Sequence, residues 1–208
     1  MHIAIAGNIG SGKTTLTSLL AKHYKWHAHY EDADDNPYLN DFYEDMQRWS
    51  FNLQVYFLNN RFNQILDIRK GKHTVVQDRT IYEDAYIFAR ALHHMGNLSE
   101  RDYVTYRGLF DLVVKNLPSP ALLVYLKAPV PVLLDRIHRR GRSMESSISE
   151  DYLTLLDSFY EDWIRSFDLC PVLTLRSDDL DFVHQPKHLD TVVSRINEKL
   201  TGKEELVF

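Results

Sequence analysis

The chain has 208 residues, of which 44% are hydrophobic and 25% charged, and its formal net charge is −5. This composition predicts one domain over residues 1–208 and disfavours a nucleic-acid polymer as partner. The lack of any long apolar run argues against a membrane partner or a signal peptide, and the single cysteine, Cys170, excludes an internal disulfide and favours the cytoplasm.

Short apolar runs alternate with longer segments of helical period along the chain. The predicted strands are 3–6, 27–30, 74–77, 121–126 and 172–175. The predicted helices are 13–24, 48–70, 82–94, 100–116, 130–139, 149–167 and 187–200. This alternation predicts an α/β fold with a five-stranded parallel sheet between two layers of helices, as in P-loop NTPases. The carboxyl ends of all the strands then meet at one edge, where ligands bind.

Residues 7–14 fit the phosphate-loop pattern G-x-x-x-x-G-K-[ST] between the first strand and the first helix. In such a loop, backbone N–H groups face phosphate oxygens. We expect Lys13 to neutralise the β- and γ-phosphates of ATP and the Thr14 hydroxyl to hold Mg²⁺. The predicted ATP-binding residues here are Gly7, Asn8, Ile9, Gly10, Ser11, Gly12, Lys13, Thr14 and Thr15.

Acidic and basic side chains follow two other predicted strands. Glu31 follows the second strand, where it is either a general base for a hydroxyl acceptor or a solvated loop acid. Asp78 and Arg79 follow the third strand. We expect Asp78 to reach Mg²⁺ and Arg79 to bind the reacting end of the acceptor; the alternative is a local ion pair that caps the next helix.

Four arginines lie in residues 136–142 and predict an arginine-rich lid over about 136–147. Helical spacing places Arg136, Arg139 and Arg140 near one face. Such a cluster can close over ATP and stabilise the transferring charge, although a basic, solvated helix end is the alternative.

Gln54 and Arg61 are two turns apart on the predicted helix 48–70, so they point to the same side. An amide and a guanidinium placed together can read the edge of a nucleobase. Without further information, ordinary surface polarity is the better interpretation of this pair.

Five segments in order and spacing resemble the deoxynucleoside kinase family, especially the bacterial deoxyadenosine/deoxyguanosine kinases, over nearly the whole chain. They are GNIGSGKTT at 7–15, EDADDNPYL at 31–39, FNLQVYFLNNRF at 51–62, QDRTIYEDA at 77–85 and RIHRRGR at 136–142.

The resemblance implies ATP-dependent phosphorylation of the 5′-hydroxyl of a deoxynucleoside, with Mg²⁺, in nucleotide salvage. It implies that Glu31 removes the hydroxyl proton, that Arg79 holds the hydroxyl and Glu31, and that Gln54 binds the base opposite Arg61 and Asp84. On the acceptor side, it further implies that Tyr43 and Glu145 bind the sugar 3′-hydroxyl and that Phe88 packs near the base. On the donor side, it implies that Asp78 reaches Mg²⁺ through water and that lid arginines lie over the phosphates, namely Arg136, Arg140 and Arg142. It also implies that the ATP adenine is enclosed by Asp178, Asp181 and Phe182.

Arg61, Asp84 and Gln54 suit a base with an exocyclic amino group, so we expect deoxyadenosine to be preferred over deoxyguanosine, deoxycytidine and above all thymidine. Two other functions fit parts of the pattern: a nucleoside monophosphate kinase, and a non-catalytic P-loop switch that binds nucleotide. The resemblance also implies a homodimer that packs helices 48–70 and 100–116 across a two-fold axis.

Overall fold

The structure, a computed structural model of the chain, describes residues 1–30, 36–142, 145, 148–182 and 185–201. Five parallel strands form one sheet in the order β2-β3-β1-β4-β5. The strands are β1 His2–Gly7, β2 His27–His29, β3 Val75–Asp78, β4 Leu122–Lys127 and β5 Val172–Arg176. All five predicted strands are confirmed, with small shifts at their ends.

Helices cover both faces of the sheet because strand residues alternate between two apolar clusters. In β1, Ala4 and Ala6 face one cluster, and Ile3 and Ile5 face the other. The helices are α1 Lys13–Tyr24, α2 Leu39–Glu44, α3 Met46–Lys70, α4 Ile81–Glu83, α5 Arg90–His94, α6 Glu100–Val114, α7 Val130–Arg140, α8 Glu150–Ser166 and α9 Pro186–Thr201. This confirms the predicted three-layer α/β fold. Across the described ranges, no helix has both the length and the apolar character to cross a membrane.

Two helical features differ from the prediction. Helix α2 is missing from the prediction because its six residues are too few to establish an apolar period. The predicted helix 82–94 is also interrupted: a π-helical segment, Asp84–Ala89, joins α4 to α5. A π turn is wider than an α turn, and such turns are frequent at functional sites. Steps of four residues place Asp84, Phe88 and Leu92 on the wall of one cavity.

Candidate functional site

The phosphate loop joins β1 to α1, as predicted. Lys13 is buried, and its Nζ donates to the backbone oxygens of Gly7 and Asn8 at 2.8 and 3.0 Å. Helix α1 begins after Gly12, which has φ 98° and no side chain to cap the first turn. The N–H groups of that turn are therefore available to an anion, and the helix dipole favours its charge.

Helix α7 packs directly on this loop at Gly10. A Cβ atom at Gly10 would lie 2.8 Å from the Leu133 backbone oxygen, and the residue has φ 81°. Only glycine meets both conditions without strain. The side chains of Asn8 and Ser11 are also buried, whereas Thr15 is exposed beside Thr14.

The Thr14 hydroxyl donates to Asp78 Oδ2 at 2.5 Å, which joins the start of α1 to the end of β3. In the part of the chain that the structure describes, no three His, Cys, Asp or Glu residues converge as a metal cage. Magnesium commonly takes one or two protein oxygens and completes its shell from water and phosphate. A hydroxyl and a carboxylate at the phosphate loop therefore fit Mg²⁺.

Arg79 follows β3 in a left-handed backbone conformation, φ 69°, which is uncommon for a residue with a side chain. Its N–H continues the sheet pairing by donating to Ile5 O at 3.0 Å. Its guanidinium lies 4.3 Å from the ring centre of Phe88. The strand end and the ring thus fix the direction of this side chain. Glu31, the predicted base, lies outside the described residues.

Tyr152, at the start of α8, is a cavity residue that the sequence did not reveal. Desolvation raises the pKa of its hydroxyl to about 12, against the opposing effect of the nearby Arg79 charge. Tyr152 therefore presents a protonated hydroxyl to the cavity at neutral pH. The chain has 12 tyrosines, and no sequence pattern distinguishes Tyr152 from the others.

Three buried polar side chains lie close together beside the cavity, and two of them, Gln54 and Asp84, line it. Gln54 and Arg61 of α3 are 3% and 2% exposed, and Asp84 of the π-helical segment is 2% exposed. Arg61 Nε lies 3.6 Å from Asp84 Oδ2. Within the described ranges, Gln54 Oε1 has no hydrogen-bond partner. The interpretation of Gln54 and Arg61 as surface polarity is wrong, because α6 and the π-helical segment cover that side of α3.

Tyr106 of α6 lies beside these side chains and is fully buried. Burial raises the pKa of its hydroxyl well above the usual value, and the Asp84 charge raises it further. A protonated tyrosine hydroxyl therefore borders the Arg61–Asp84 pair.

The arginines predicted to share one face have three different environments. Arg140 and Arg142 line the cavity with Glu145, and Arg140 binds Glu145 through Nε at 3.0 Å and a terminal nitrogen at 2.6 Å. Arg139 instead pairs with Asp135 in solvent. The three arginines keep their helical spacing on α7, but their side chains have different partners, and Arg142 lies beyond the C-cap residue Gly141.

Arg136, predicted to be a lid arginine, bonds to groups beside the phosphate loop. One terminal nitrogen donates to Ser177 Oγ at 3.0 Å and to the Ser11 backbone oxygen at 3.4 Å, and the other donates to the Ser177 backbone oxygen at 2.6 Å. Arg136 thus joins the phosphate loop to the turn after β5. Its side chain lies outside the cavity lining, and the lid bounds of about 136–147 stay a prediction.

The turn after β5 lies beside the phosphate loop and outside the cavity lining. Asp178 pairs with Arg176 at 3.1 Å, and the Asp181 N–H donates to His188. A Cβ atom at Gly12 would lie 3.4 Å from the Phe182 ring. The three predicted adenine residues are therefore close to the loop but pack against their own neighbours.

One cavity of about 440 Å³ collects most of the predicted residues. Its volume is in the range of small-molecule sites. The predicted residues in its lining are Ile9, Gly10, Lys13, Thr14, Tyr43, Gln54, Asp78, Arg79, Asp84, Phe88, Arg140, Arg142 and Glu145. An anion cradle, a fixed guanidinium and a buried amide with a carboxylate thus face one space, which suits transfer of a phosphoryl group to a polar organic acceptor.

Comparisons with known proteins give one consistent result. Residues 3–201 match the family model described as deoxynucleoside kinase. The chain is 42% identical to the deoxyadenosine/deoxycytidine kinase of Bacillus subtilis, covering 93% of this chain and 90% of that one. It is 34% identical to the deoxyguanosine kinase of the same organism, covering 94% of this chain and 96% of that one. A solved structure of M. mycoides deoxyadenosine kinase with dCMP and dCDP bound has a TM-score of 0.84 and 28% identity, covering 95% of this chain and 100% of that one. A second structure of that kinase, with dATP bound, has a TM-score of 0.82 and 27% identity, covering 95% of this chain and 99% of that one.

Proposed function

This chain is a member of the deoxynucleoside kinase family, and we propose that it transfers the γ-phosphoryl group of ATP to the 5′-hydroxyl of deoxyadenosine, with deoxyguanosine and deoxycytidine as weaker substrates. The observation that carries the proposal is one cavity lined both by Lys13 and Thr14 of the phosphate loop and by the buried Gln54 and Asp84. A nucleoside that spans it has its base at Gln54 and Asp84 and its 5′-hydroxyl toward the phosphate loop.

On the acceptor side, Arg79 holds the 5′-hydroxyl oxygen. Its direction is set by the Phe88 ring and by the backbone bond to Ile5, so little entropy is lost when it binds. Glu31 removes the hydroxyl proton as the oxygen attacks phosphorus. This role rests on its position after β2 and on the family motif.

On the donor side, Lys13 moves from the Gly7 and Asn8 carbonyls to the phosphate oxygens. Thr14 and Asp78 would hold Mg²⁺, which neutralises phosphate charge when bound. Arg140 and Arg142 approach the transferring group from the lid, and Arg136 holds the turn that carries Asp178, Asp181 and Phe182 near the donor base.

Base preference follows from the buried polar side chains. Asp84 accepts a hydrogen bond from an exocyclic amino group, Arg61 fixes the carboxylate, and Gln54 satisfies a second edge of the base. The 4-carbonyl of thymine would face Asp84 with no proton between the two oxygens. An unpaired buried polar group costs about 1–3 kcal/mol, roughly tenfold to a hundredfold in selectivity.

At the sugar, Tyr43 and Glu145 bind the 3′-hydroxyl. Glu145 is half-buried and already shares its oxygens with Arg140, so it joins the lid to the acceptor. A deoxynucleoside can therefore help to order the lid that closes over ATP.

We also propose a homodimer in the cytoplasm. Val104, Leu109 and Leu112 of α6 are 58%, 41% and 63% exposed, and α6 packs on α3, so these two helices offer an apolar face to a second copy. Cys170 is a free cysteine, consistent with a reducing compartment.

The experiment that tests the function measures ADP release with ATP, Mg²⁺ and each of the four deoxynucleosides, in parallel with the four monophosphates. We expect turnover with deoxyadenosine that is lost in Glu31→Gln. Turnover with monophosphates alone would make the protein a monophosphate kinase, and ATP hydrolysis independent of any acceptor would indicate a P-loop switch.

A further inference from the structure

Glu83, at the end of α4, is a fully buried carboxylate that the reaction described above does not use. Its Oε2 accepts from the Thr80 N–H at 2.7 Å, and its Oε1 accepts from the Gly7 N–H at 3.2 Å. Thr80 follows Arg79, and Gly7 begins the phosphate loop. One side chain therefore joins the acceptor motif to the donor loop through two backbone N–H groups.

Tyr160 of α8 completes this buried group. Its hydroxyl lies 2.8 Å from Glu83 Oε1 and 2.8 Å from the Gly7 backbone oxygen, and the residue is 0% exposed. Burial raises the pKa of this hydroxyl well above the usual value, and the Glu83 charge adds to the effect. Tyr160 thus keeps its proton throughout the working pH range.

The Gly7 backbone oxygen has a second donor, the Nζ atom of Lys13, also at 2.8 Å. The Tyr160 hydroxyl has one proton for two acceptors. While Lys13 donates to Gly7, that proton can serve Glu83. When Lys13 turns to the phosphate oxygens, the Gly7 oxygen loses a charged donor inside the protein, and an unsatisfied buried carbonyl is costly.

We propose that Glu83 and Tyr160 are positioning residues that hold Gly7 in its ATP-binding conformation, with the Tyr160 proton replacing Lys13 at the Gly7 oxygen when Lys13 engages the phosphates. Gly7 is packed closely against β4, since a Cβ atom there would lie 2.5 Å from the Leu126 backbone oxygen. Neither side chain lines the cavity, so both act through the loop. This inference rests on the proposed role of Lys13 in binding ATP.

Tyr160→Phe tests the proposal because it removes the hydroxyl and keeps the ring. Tyr125→Phe is the matched control: Tyr125 is 2% exposed, its ring centre is 5.8 Å from that of Tyr160, and its hydroxyl donates to Glu161 at 3.3 Å rather than to the loop. Calorimetry with a non-hydrolysable ATP analogue and Mg²⁺ measures donor binding, and steady-state kinetics measure both KM values.

We expect Tyr160→Phe to weaken binding of the analogue and to raise the KM for ATP about tenfold, with the KM for deoxyadenosine within about twofold of the unmodified protein. Tyr125→Phe is expected to leave all three constants within about twofold. Equal effects of the two variants on the analogue would overturn the proposal, as would an equal rise of both KM values in Tyr160→Phe.

Glu83→Gln is an independent second variant. An amide has one acceptor atom, so it cannot accept from both Thr80 and Gly7, and we expect the same selective loss of ATP affinity. Unchanged affinity for the analogue would contradict the proposal. The binding comparison needs no nucleoside. If the protein phosphorylated no nucleoside, the proposed function would be overturned, but the binding of the analogue to these variants would still decide the role of Glu83 and Tyr160.

Discussion

Two arginine–carboxylate pairs lie at the cavity in different environments: Arg140, Glu145 and Asp84 line it, and Arg61 lies behind Asp84. Arg61 and Asp84 have side chains 2% and 3% exposed, with 3.6 Å between the nearest charged atoms. Arg140 and Glu145 have side chains 36% and 11% exposed, with a bidentate contact whose shorter distance is 2.6 Å. The pair with the better geometry is therefore the one nearer to solvent.

This difference separates two uses of the same chemistry. A buried ion pair gains little net stability, but removing one partner leaves a desolvated charge, so the pair fixes one arrangement of its donors. A pair near solvent costs little to break or to form. Arg61 and Asp84 thus suit the proposed recognition of a base, and Arg140 and Glu145 suit the proposed lid over ATP.

Asp84→Ala should give the largest effect, because it removes the carboxylate that lies 3.6 Å from the buried Arg61 guanidinium. We expect the free energy of unfolding to fall by about 3–5 kcal/mol, together with loss of deoxyadenosine phosphorylation. Urea denaturation measures the first effect. The control is Asp162→Ala, which removes the partner of Arg90 from a pair that is 39% and 50% exposed, and should cost less than about 1 kcal/mol. Equal losses in both variants would break the comparison.

His2 is a third titratable side chain, and its partner is an amide and not a charged group. Its Nε2 atom lies 2.9 Å from Gln77 Oε1. Desolvation, with a smaller contribution from the nearby His29 and against the hydrogen bond to Gln77, lowers the pKa of His2 to about 4. Between that value and the unfolded value near 6.5, the unfolded chain binds more protons, so stability falls as the pH is lowered through this window. We expect about 2 kcal/mol of this loss at pH 5.

The measurement is urea denaturation at pH 7 and pH 5, with His2→Asn as the control. The difference in unfolding free energy between the two pH values should be smaller by that amount in His2→Asn. An equal acid dependence in both proteins would assign the loss to other groups.

Gln54→Leu should change stability and activity in opposite directions. The Gln54 Oε1 atom is buried without a hydrogen-bond partner among the described residues, so an apolar replacement should leave stability unchanged or raise it by about 1 kcal/mol. The kcat/KM for deoxyadenosine should fall at least about tenfold, since the base loses its amide partner.

Gln77→Leu is the matched control, because Gln77 is also buried but its amide bonds to His2 and Gln64. We expect it to lower stability by about 1–2 kcal/mol and to leave the preference among deoxynucleosides unchanged. Thermal unfolding measures the stability of both variants, and steady-state kinetics measure their preference among deoxynucleosides. A loss of stability in Gln54→Leu would show that the Gln54 amide is hydrogen-bonded in the free protein.

Glu145→Gln should give the smallest change in stability, below about 1 kcal/mol, because solvent replaces the ion pairs with Arg140 and Arg142. The KM for deoxyadenosine should still rise severalfold, since the 3′-hydroxyl loses a charged acceptor. A stability loss as large as that of Asp84→Ala would show that the lid pair is a structural element.

Much of the site could be predicted because its signals are local. The phosphate loop, Asp78 and Arg79 all follow strands whose apolar runs are visible in the sequence. Thr80 and Glu83 fit the capping-box pattern [S/T]-x-x-[E/Q] as well, and the structure contains both of its hydrogen bonds. What that pattern could not predict is the bond from Gly7 to Glu83, which joins residues 76 positions apart.

The sequence by itself determined the order of the elements, the parallel sheet and the phosphate loop, since each depends on short-range periodicity or on a contiguous motif. Only the tertiary structure decided the burial of Gln54 and Arg61, the separate environments of Arg136, Arg139 and Arg140, and the contact of Tyr160 with Gly7. Exposure and pairing depend on which helices cover a surface. That information lies in contacts between distant segments, so no local pattern carries it.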